Sequence, residues 1–219
     1  DHDYVVAVGG SGLYVRALCE GMDDLPQADE SLREEMDRWL AEEGLGALAE
    51  KLRELDPEYY QIVDLNNPAR VMRALEVCLQ TGMPYSRQRT GIRRARPFEI
   101  VKIGVDLPRE ELYDRINRRV DRMLADGLEA EARALYPYRE LNALQTVGYR
   151  EFFDYFNGRI GYDEAVELIK RNSRRYAKRQ LTWFRRNKAI HWLLRQPGQD
   201  FPQLFEQAAA EIPFFDRPG

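Results

Sequence analysis

Between Arg171 and Arg185 the chain reads RNSRRYAKRQLTWFR. Arg171, Arg174, Arg175, Lys178, Arg179 and Arg185 are its cations, and no acid stands among them. Tyr176, Trp183 and Phe184 are interleaved with the charge. The whole chain has a formal net charge of -4, so this positive charge is concentrated on one element. Cations alternating with flat rings suit a polyanion that also offers stackable bases, meaning RNA or single-stranded nucleic acid. Wound as a helix, Arg171, Arg175, Lys178, Thr182 and Arg185 fall three or four apart and share a face. Tyr176, Arg179 and Trp183 form a second stripe, and Ala177, Leu181 and Phe184 are left for a core. The competing reading is a solvated amphipathic helix whose arginines pair with acids from elsewhere.

Two further groups could carry chemistry. Arg115, Arg119 and Arg122 are spaced by four and three on one predicted helix. Pairing with Glu111, Asp114 or Asp121 is one reading. A diphosphate clamp is the other, because a guanidinium meets phosphate oxygens as a fork. Gly9-Gly10-Ser11-Gly12 follows a predicted strand and precedes a predicted helix. Glycines there permit close approach, and a helix N-terminus favours anions. Ser11 would offer a hydroxyl at the carboxyl end of a strand, where open α/β sheets bind ligands; a plain tight turn fits equally. No Gly-Lys dipeptide exists in the chain, so the G-x-x-x-x-G-K-[ST] phosphate loop is absent.

The elements that must position these groups follow from periodicity and punctuation. Strands are predicted over 3–8, 98–107 and 190–194. Helices are predicted over 13–20, 31–43, 47–55, 57–62, 69–80, 109–126, 128–135, 151–156 and 200–212, and a helix opened by Tyr162-Asp163 leads into the basic one, which ends near Asn187. Ser31 with Glu34 forms a capping-box pattern, and Asn66-Asn67-Pro68 signals a helix start. The stretch 84–96, with Arg87, Arg89, Arg93, Arg94 and Arg96, predicts an exposed basic loop. Strands stand at both ends and in the middle, with an all-helical block between the first two. That order predicts an α/β core, residues 1–20 with 98–219, interrupted by a helical insertion over 21–97. Tyr4-Val-Val-Ala-Val has the pattern of a buried parallel strand, which needs neighbours. The chain is therefore expected to be the C-terminal portion of a longer protein.

Composition narrows the classes. A chain of 219 residues with 44% hydrophobic residues can bury a proper core. No apolar run approaches the ~20 residues of a membrane span, and the N-terminus does not read as a signal peptide. Two cysteines and two histidines, without a C-x-x-C pair, argue against a zinc site or a disulfide framework and point to a reducing cytoplasm.

Five segments in order carry a resemblance: VGGSGLYVRALCEGM, NNPARVMRALEV, RINRRVDRMLADGLEAEARAL, QTVGYREF and RRYAKRQLTWFR. Over about Val5 to Trp192 the chain resembles the bacterial tRNA dimethylallyltransferases. The resemblance implies a mostly helical α/β fold, with a P-loop-kinase-like parallel sheet that is incomplete here and an all-helical insertion contacting tRNA. It implies transfer of dimethylallyl from dimethylallyl diphosphate to the exocyclic amine of the adenosine just 3′ of the anticodon, with Mg2+ assisting the diphosphate. Residue by residue, Ser11 stands where the family usually has a threonine, and is expected to contact the target adenine. Arg119, with Arg115 beside it, is expected to hold the diphosphate. Arg33; Ala69, Arg70, Val71, Met72 and Arg73; Gln145, Thr146, Val147, Gly148, Tyr149 and Arg150; and Lys178, Arg179, Gln180, Leu181, Thr182, Trp183, Phe184 and Arg185 match segments that contact tRNA. The expected partner is the tRNA anticodon stem-loop, met by a cytoplasmic monomer away from membranes. The family's P-loop and general-base aspartate lie upstream of all five segments, so the chain is expected to be inactive if nothing precedes Asp1. Two other classes stay open on the residues alone: an RNA-binding module without chemistry, and a nucleotide-kinase-like domain using its arginines as a lid. A lid does not account for Trp183 or the VGYR loop.

Overall fold

The computed structural model describes residues 2–27, 29–91 and 94–212. They form two compact units, Leu13–Phe98 and a unit made of Asp1–Gly12 with Glu99–Gly219.

The Leu13–Phe98 unit is helical among its described residues: α1 (Gly12–Glu20), α2 (Glu30–Leu55), α3 (Pro57–Tyr60), α4 (Pro68–Thr81) and α5 (Tyr85–Gln88). The helices predicted over 31–43 and 47–55 are the two halves of α2, which is broken only at Gly44, with φ 80° and ψ 173°. Asp29, not Ser31, caps α2. Its carboxylate accepts from the Leu32 amide at 3.1 Å and from the Ser31 hydroxyl at 2.6 Å. A carboxylate satisfies the orphan amide and complements the helix dipole better than a hydroxyl that is already donating. The Ser31 hydrogen bond, then the Leu32 amide, hold the Asp29 carboxyl below its ordinary range. Asn67 caps α4 as its sequence signal predicts, accepting from the Arg70 amide at 3.2 Å. Met36, Leu48, Leu52, Tyr59, Val71 and Leu75 form the core. The 84–96 stretch is not a free basic loop. It contains α5; Arg89 lies 5.9 Å from the Tyr59 ring, Arg94 donates to Asp24 at 2.6 Å, and Arg96 donates to the Ala17 carbonyl at 2.7 Å. Arg93 lies outside the described residues.

The other unit holds β1 (Lys102–Asp106), α6 (Arg109–Ala125), α7 (Leu128–Leu135), α8 (Tyr149–Phe156), α9 (Tyr162–Phe184), β2 (Ile190–Leu194) and α10 (Phe201–Glu211). The strands pair in parallel, Lys102 opposite Ile190 through Asp106 opposite Leu194. A small parallel sheet within a predominantly helical chain agrees with the α/β class expected from sequence. The predicted strand over 3–8 is overturned. Those residues join no strand, and Val5, Val6 and Val8 are more than 80% exposed. A strand is held by ladders on its edges, and the described sheet consists of β1 and β2 alone. Val120, Leu128, Ala132, Phe152, Ala165 and Ile169 bind α6 to α9 into one core. Fully burying a ring such as Phe152 is worth roughly 1.5–3 kcal/mol.

Candidate nucleic-acid interface

Helix α9 divides along its length. Its first half buries Ala165 and Ile169. Two bonds then hold it to α6: Lys170 pairs with Asp121 at 2.7 Å, and Arg174 donates to Asn117 Oδ1 at 2.6 Å. Beyond them the helix turns cationic. Arg171, Arg175, Lys178 and Arg179 are exposed and make no ion pair among the described residues. The solvated-helix reading required acids from elsewhere to answer these charges; among the described residues only Arg185 meets one, Asp106 at the end of β1, at 2.5 Å. Arg179 lies 5.6 Å from the half-exposed Tyr176 ring, which keeps guanidinium and ring together on the surface. Thr182 donates back to the Lys178 carbonyl at 2.9 Å. Leu181 and Phe184 are partly buried.

Tyr176, Gln180 and Trp183 fall four and three apart, and the glycine loop is seated on two of them. Gln180 Nε2 donates to the Gly10 carbonyl at 2.7 Å. A Cβ on Gly10 would lie 2.3 Å from that nitrogen, and a Cβ on Gly12 would lie 2.2 Å from the Trp183 indole. No real carbon sits so close, so a side chain at either position would force Gln180 or Trp183 to move. These glycines therefore admit two side chains of α9. Ser11, between them, is exposed. Ser11 is thus held in a loop that packs on Gln180 and Trp183 of α9.

The 145–150 loop is attached to the same helix by a carboxylate that sequence reasoning passed over. Gly148 has φ 107°, a conformation a side chain would strain. Its amide donates to Glu151 Oε2 at 2.8 Å, while Asn172 of α9 donates to Glu151 Oε1 at 2.7 Å. Glu151 is 6% exposed. An acid three residues after the helix-opening glycine has capping-box spacing, and that was the available signal; it also starts α8 at Tyr149, two residues before the predicted boundary. Tyr149 stacks on Phe153 and donates to Glu131 at 2.5 Å. That bond, then burial, raises its phenol above the ordinary range. Gln145 donates to the Arg139 carbonyl at 2.6 Å. Val147 is half-buried, whereas Thr146 and Arg150 face solvent.

On α6 the two readings divide the arginines. Arg118 pairs with Asp114 at 2.5 Å, and Arg115 lies 3.5 Å from Glu111, which Arg195 also approaches at 3.5 Å. Arg119 and Arg122 are exposed and make no ion pair among the described residues, so they are the arginines of this face left for an incoming anion.

In the Leu13–Phe98 unit the expected contact residues separate by depth. Val71 and Met72 lie in the core, so as folded their side chains are not available to RNA. Arg33 and Arg73 meet the fully buried Glu76 at 3.2 and 2.7 Å, and Arg73 also donates to the Pro26 carbonyl at 2.6 Å. Both are tied to that buried carboxylate, Arg73 partly buried and Arg33 still exposed, and Ala69 and Arg70 are exposed as well.

Comparison with known proteins bears on the whole arrangement. The family profile described as IPP transferase matches residues 1–187. The tRNA dimethylallyltransferase of Cytophaga hutchinsonii is 54% identical over 198 residues, 90% of this chain and 64% of that protein. The tRNA dimethylallyltransferase 1 of Phocaeicola vulgatus is 53% identical over 192 residues, 88% of this chain and 64% of that protein. The chain thus spans a little under two thirds of these relatives. Among solved structures, the full-length tRNA isopentenylpyrophosphate transferase of Bacillus halodurans superposes with a TM-score of 0.55 at 37% identity, covering 94% of this chain and 65% of that one. A eukaryotic dimethylallyltransferase acting on tRNA, 24% identical, shares the fold with a TM-score of 0.69, covering 96% of this chain and 57% of that one. With the family profile matched across α9 and both loops packed on it, this chain belongs to the IPP transferase family.

Proposed function

We propose that the chain serves a tRNA dimethylallyltransferase by gripping the anticodon stem-loop and holding the diphosphate of dimethylallyl diphosphate. The single observation that carries this reading is the convergence on α9. One helix bears unpaired cations with exposed rings, seats the Ser11 loop through Gln180 and Trp183, and holds the 145–150 loop through Asn172 and Glu151. In the reaction the exocyclic nitrogen of the adenosine 3′ to the anticodon bonds to the allylic carbon. The carbon–oxygen bond breaks, diphosphate leaves with the electron pair, and the nitrogen gives its proton to a base, the aspartate that the family resemblance places upstream of the five matched segments. The adenosine must first leave its stack. The Ser11 hydroxyl then meets an edge of the base, and exposed Tyr176 and Trp183 offer faces for bases to stack on. Arg119, supported by Arg115, stabilises the charge gathering on the diphosphate. The family resemblance implies Mg2+, which would be carried in on the diphosphate oxygens, the usual way Mg2+ meets phosphates, and no step here depends on it. The Leu13–Phe98 unit is the helical insertion that meets the stem, with Arg70 as its contact. The setting is a cytoplasmic monomer, which suits two free cysteines; no described helix is long and apolar enough to cross a membrane.

The test is fluorescence anisotropy with a labelled anticodon stem-loop across a salt series, beside a loop carrying guanosine at the target position. Salt-sensitive binding that prefers adenosine, weakened in Arg179→Ala, is expected. Loss of dimethylallyl diphosphate binding in Arg119→Ala but not in Arg118→Ala is expected from the α6 assignment. Binding indifferent to the base would favour the module without chemistry.

A further inference from the structure

A polar cleft of about 430 Å³ opens beside the 145–150 loop, and Arg139, Arg150 and Arg159 line it together with Asn157, Glu140 and Asp154. Each arginine is held differently. Arg139 lies 4.6 Å from the Tyr136 ring and donates to the Tyr136 carbonyl at 3.3 Å. Arg159 pairs with Asp154 at 2.9 Å. Arg150 makes no ion pair among the described residues. Asn157 Oδ1 accepts from the Tyr136 hydroxyl at 2.5 Å, which turns its amide into the group's donor. Three cations against two acids leave the lining one positive charge in excess. Arg139 also pairs with Glu140 at 3.4 Å, and this pair and Arg159–Asp154 are solvent-exposed, with Glu140 86% and Arg159 71% exposed. Exposed pairs contribute only ~0–1 kcal/mol, so a doubly hydrogen-bonded phosphate can replace them. Tyr138, one residue before Arg139, is 61% exposed and adds a ring on which a base could stack.

We infer that this cleft is a binding site for backbone phosphates of RNA, formed by Arg139, Arg150 and Arg159, and separate from the cationic face of α9. It rests on the RNA reading above and extends it. The polar, arginine-forked lining suits a phosphodiester, and the cleft adjoins the loop already assigned to RNA.

The experiment compares the salt dependence of stem-loop binding for the wild-type chain, Arg139→Ala/Arg159→Ala and Glu140→Gln, with melting temperatures taken alongside. Each phosphate contact contributes roughly 0.7–0.9 to the log–log slope. The double variant should therefore lose about 1.4–1.8 of slope while melting as wild type does. Glu140→Gln should bind more tightly at low salt. An unchanged slope in a folded double variant overturns the site while leaving the RNA reading intact. If the double variant does not fold, Glu140→Gln decides: tightening supports the site, and unchanged affinity overturns it. Inorganic pyrophosphate binding that is lost in the double variant, with the RNA slope unchanged, would reveal a free-anion site and overturn the assignment. Absence of any salt-sensitive stem-loop binding by the wild-type chain overturns both proposals together.

Discussion

Glu151 is the residue whose removal best tests how the interface is assembled. Its carboxylate is 6% exposed and accepts from the Gly148 amide at 2.8 Å and from Asn172 Nδ2 at 2.7 Å. In Glu151→Ala both donors lose their acceptor in a buried place. Hydrogen bonds to a charged group are worth about 1.5–3 kcal/mol each, so even at the lower end the pair amounts to ~3 kcal/mol. For a chain of this size, with about 2–4 °C per kcal/mol, Tm should fall by roughly 6–12 °C. Asn172→Ala removes one of the two bonds and should lose about half as much. The loop consequence is separate. Gly148 keeps φ 107° because its amide is tied down; once released, Tyr149 and Arg150 are no longer presented in one geometry. Stem-loop affinity should fall about tenfold, equivalent to ~1.4 kcal/mol. In the Glu151→Ala background Arg150→Ala should then cost less than in wild type, a coupling that general destabilisation does not produce. Thermal melts by circular dichroism and anisotropy titrations supply both readouts. A Glu151→Ala chain that melts within 2 °C of wild type (about 1 kcal/mol or less) and binds unchanged would refute the reasoning.

Two further outcomes are expected. The Tyr149 phenol is raised by its bond to Glu131 and by burial, so its bond contributes stability that is complete below the ordinary phenol value of about 10 and is lost as pH climbs through the raised value; the phenolate absorbance titration of wild type minus Tyr149→Phe should therefore show a late-ionising group, and a difference curve centred on the ordinary value would contradict the bond. Gly12→Ala would place a carbon 2.2 Å from Trp183, an overpacking that costs roughly 1–3 kcal/mol and displaces Ser11; discrimination between adenosine and guanosine stem-loops should shrink, whereas Gly9→Ala, which meets nothing within 4 Å, should retain it.

Much of this site is written locally. The cations and rings of α9, the Asn67 cap of α4 and the strand Ile190–Leu194 follow from periodicity and capping, which depend on neighbours three or four residues away. The acid-free run from Arg171 to Arg185 is likewise legible without any knowledge of its surroundings. Other features depend on residues far apart in the chain. Which arginines are free was settled by partners at long range: Arg185 by Asp106, Arg33 by Glu76, Arg174 by Asn117. The two-residue fit of the glycine loop to Gln180 and Trp183 joins segments some 170 positions apart. Val71 and Met72 sit in a segment that matches an RNA-contacting one, yet helix phase against α2 sends them inward. The 3–8 stretch has the composition of a buried strand, but composition supplies no partner to pair with. Sequence by itself determined the family, the helices and the chemical character of the interface, because those are carried by local order. Tertiary structure alone decided which charges remain available and how Ser11 and the 145–150 loop are held on one helix, because packing and long-range hydrogen bonds are what fix a side chain's partner.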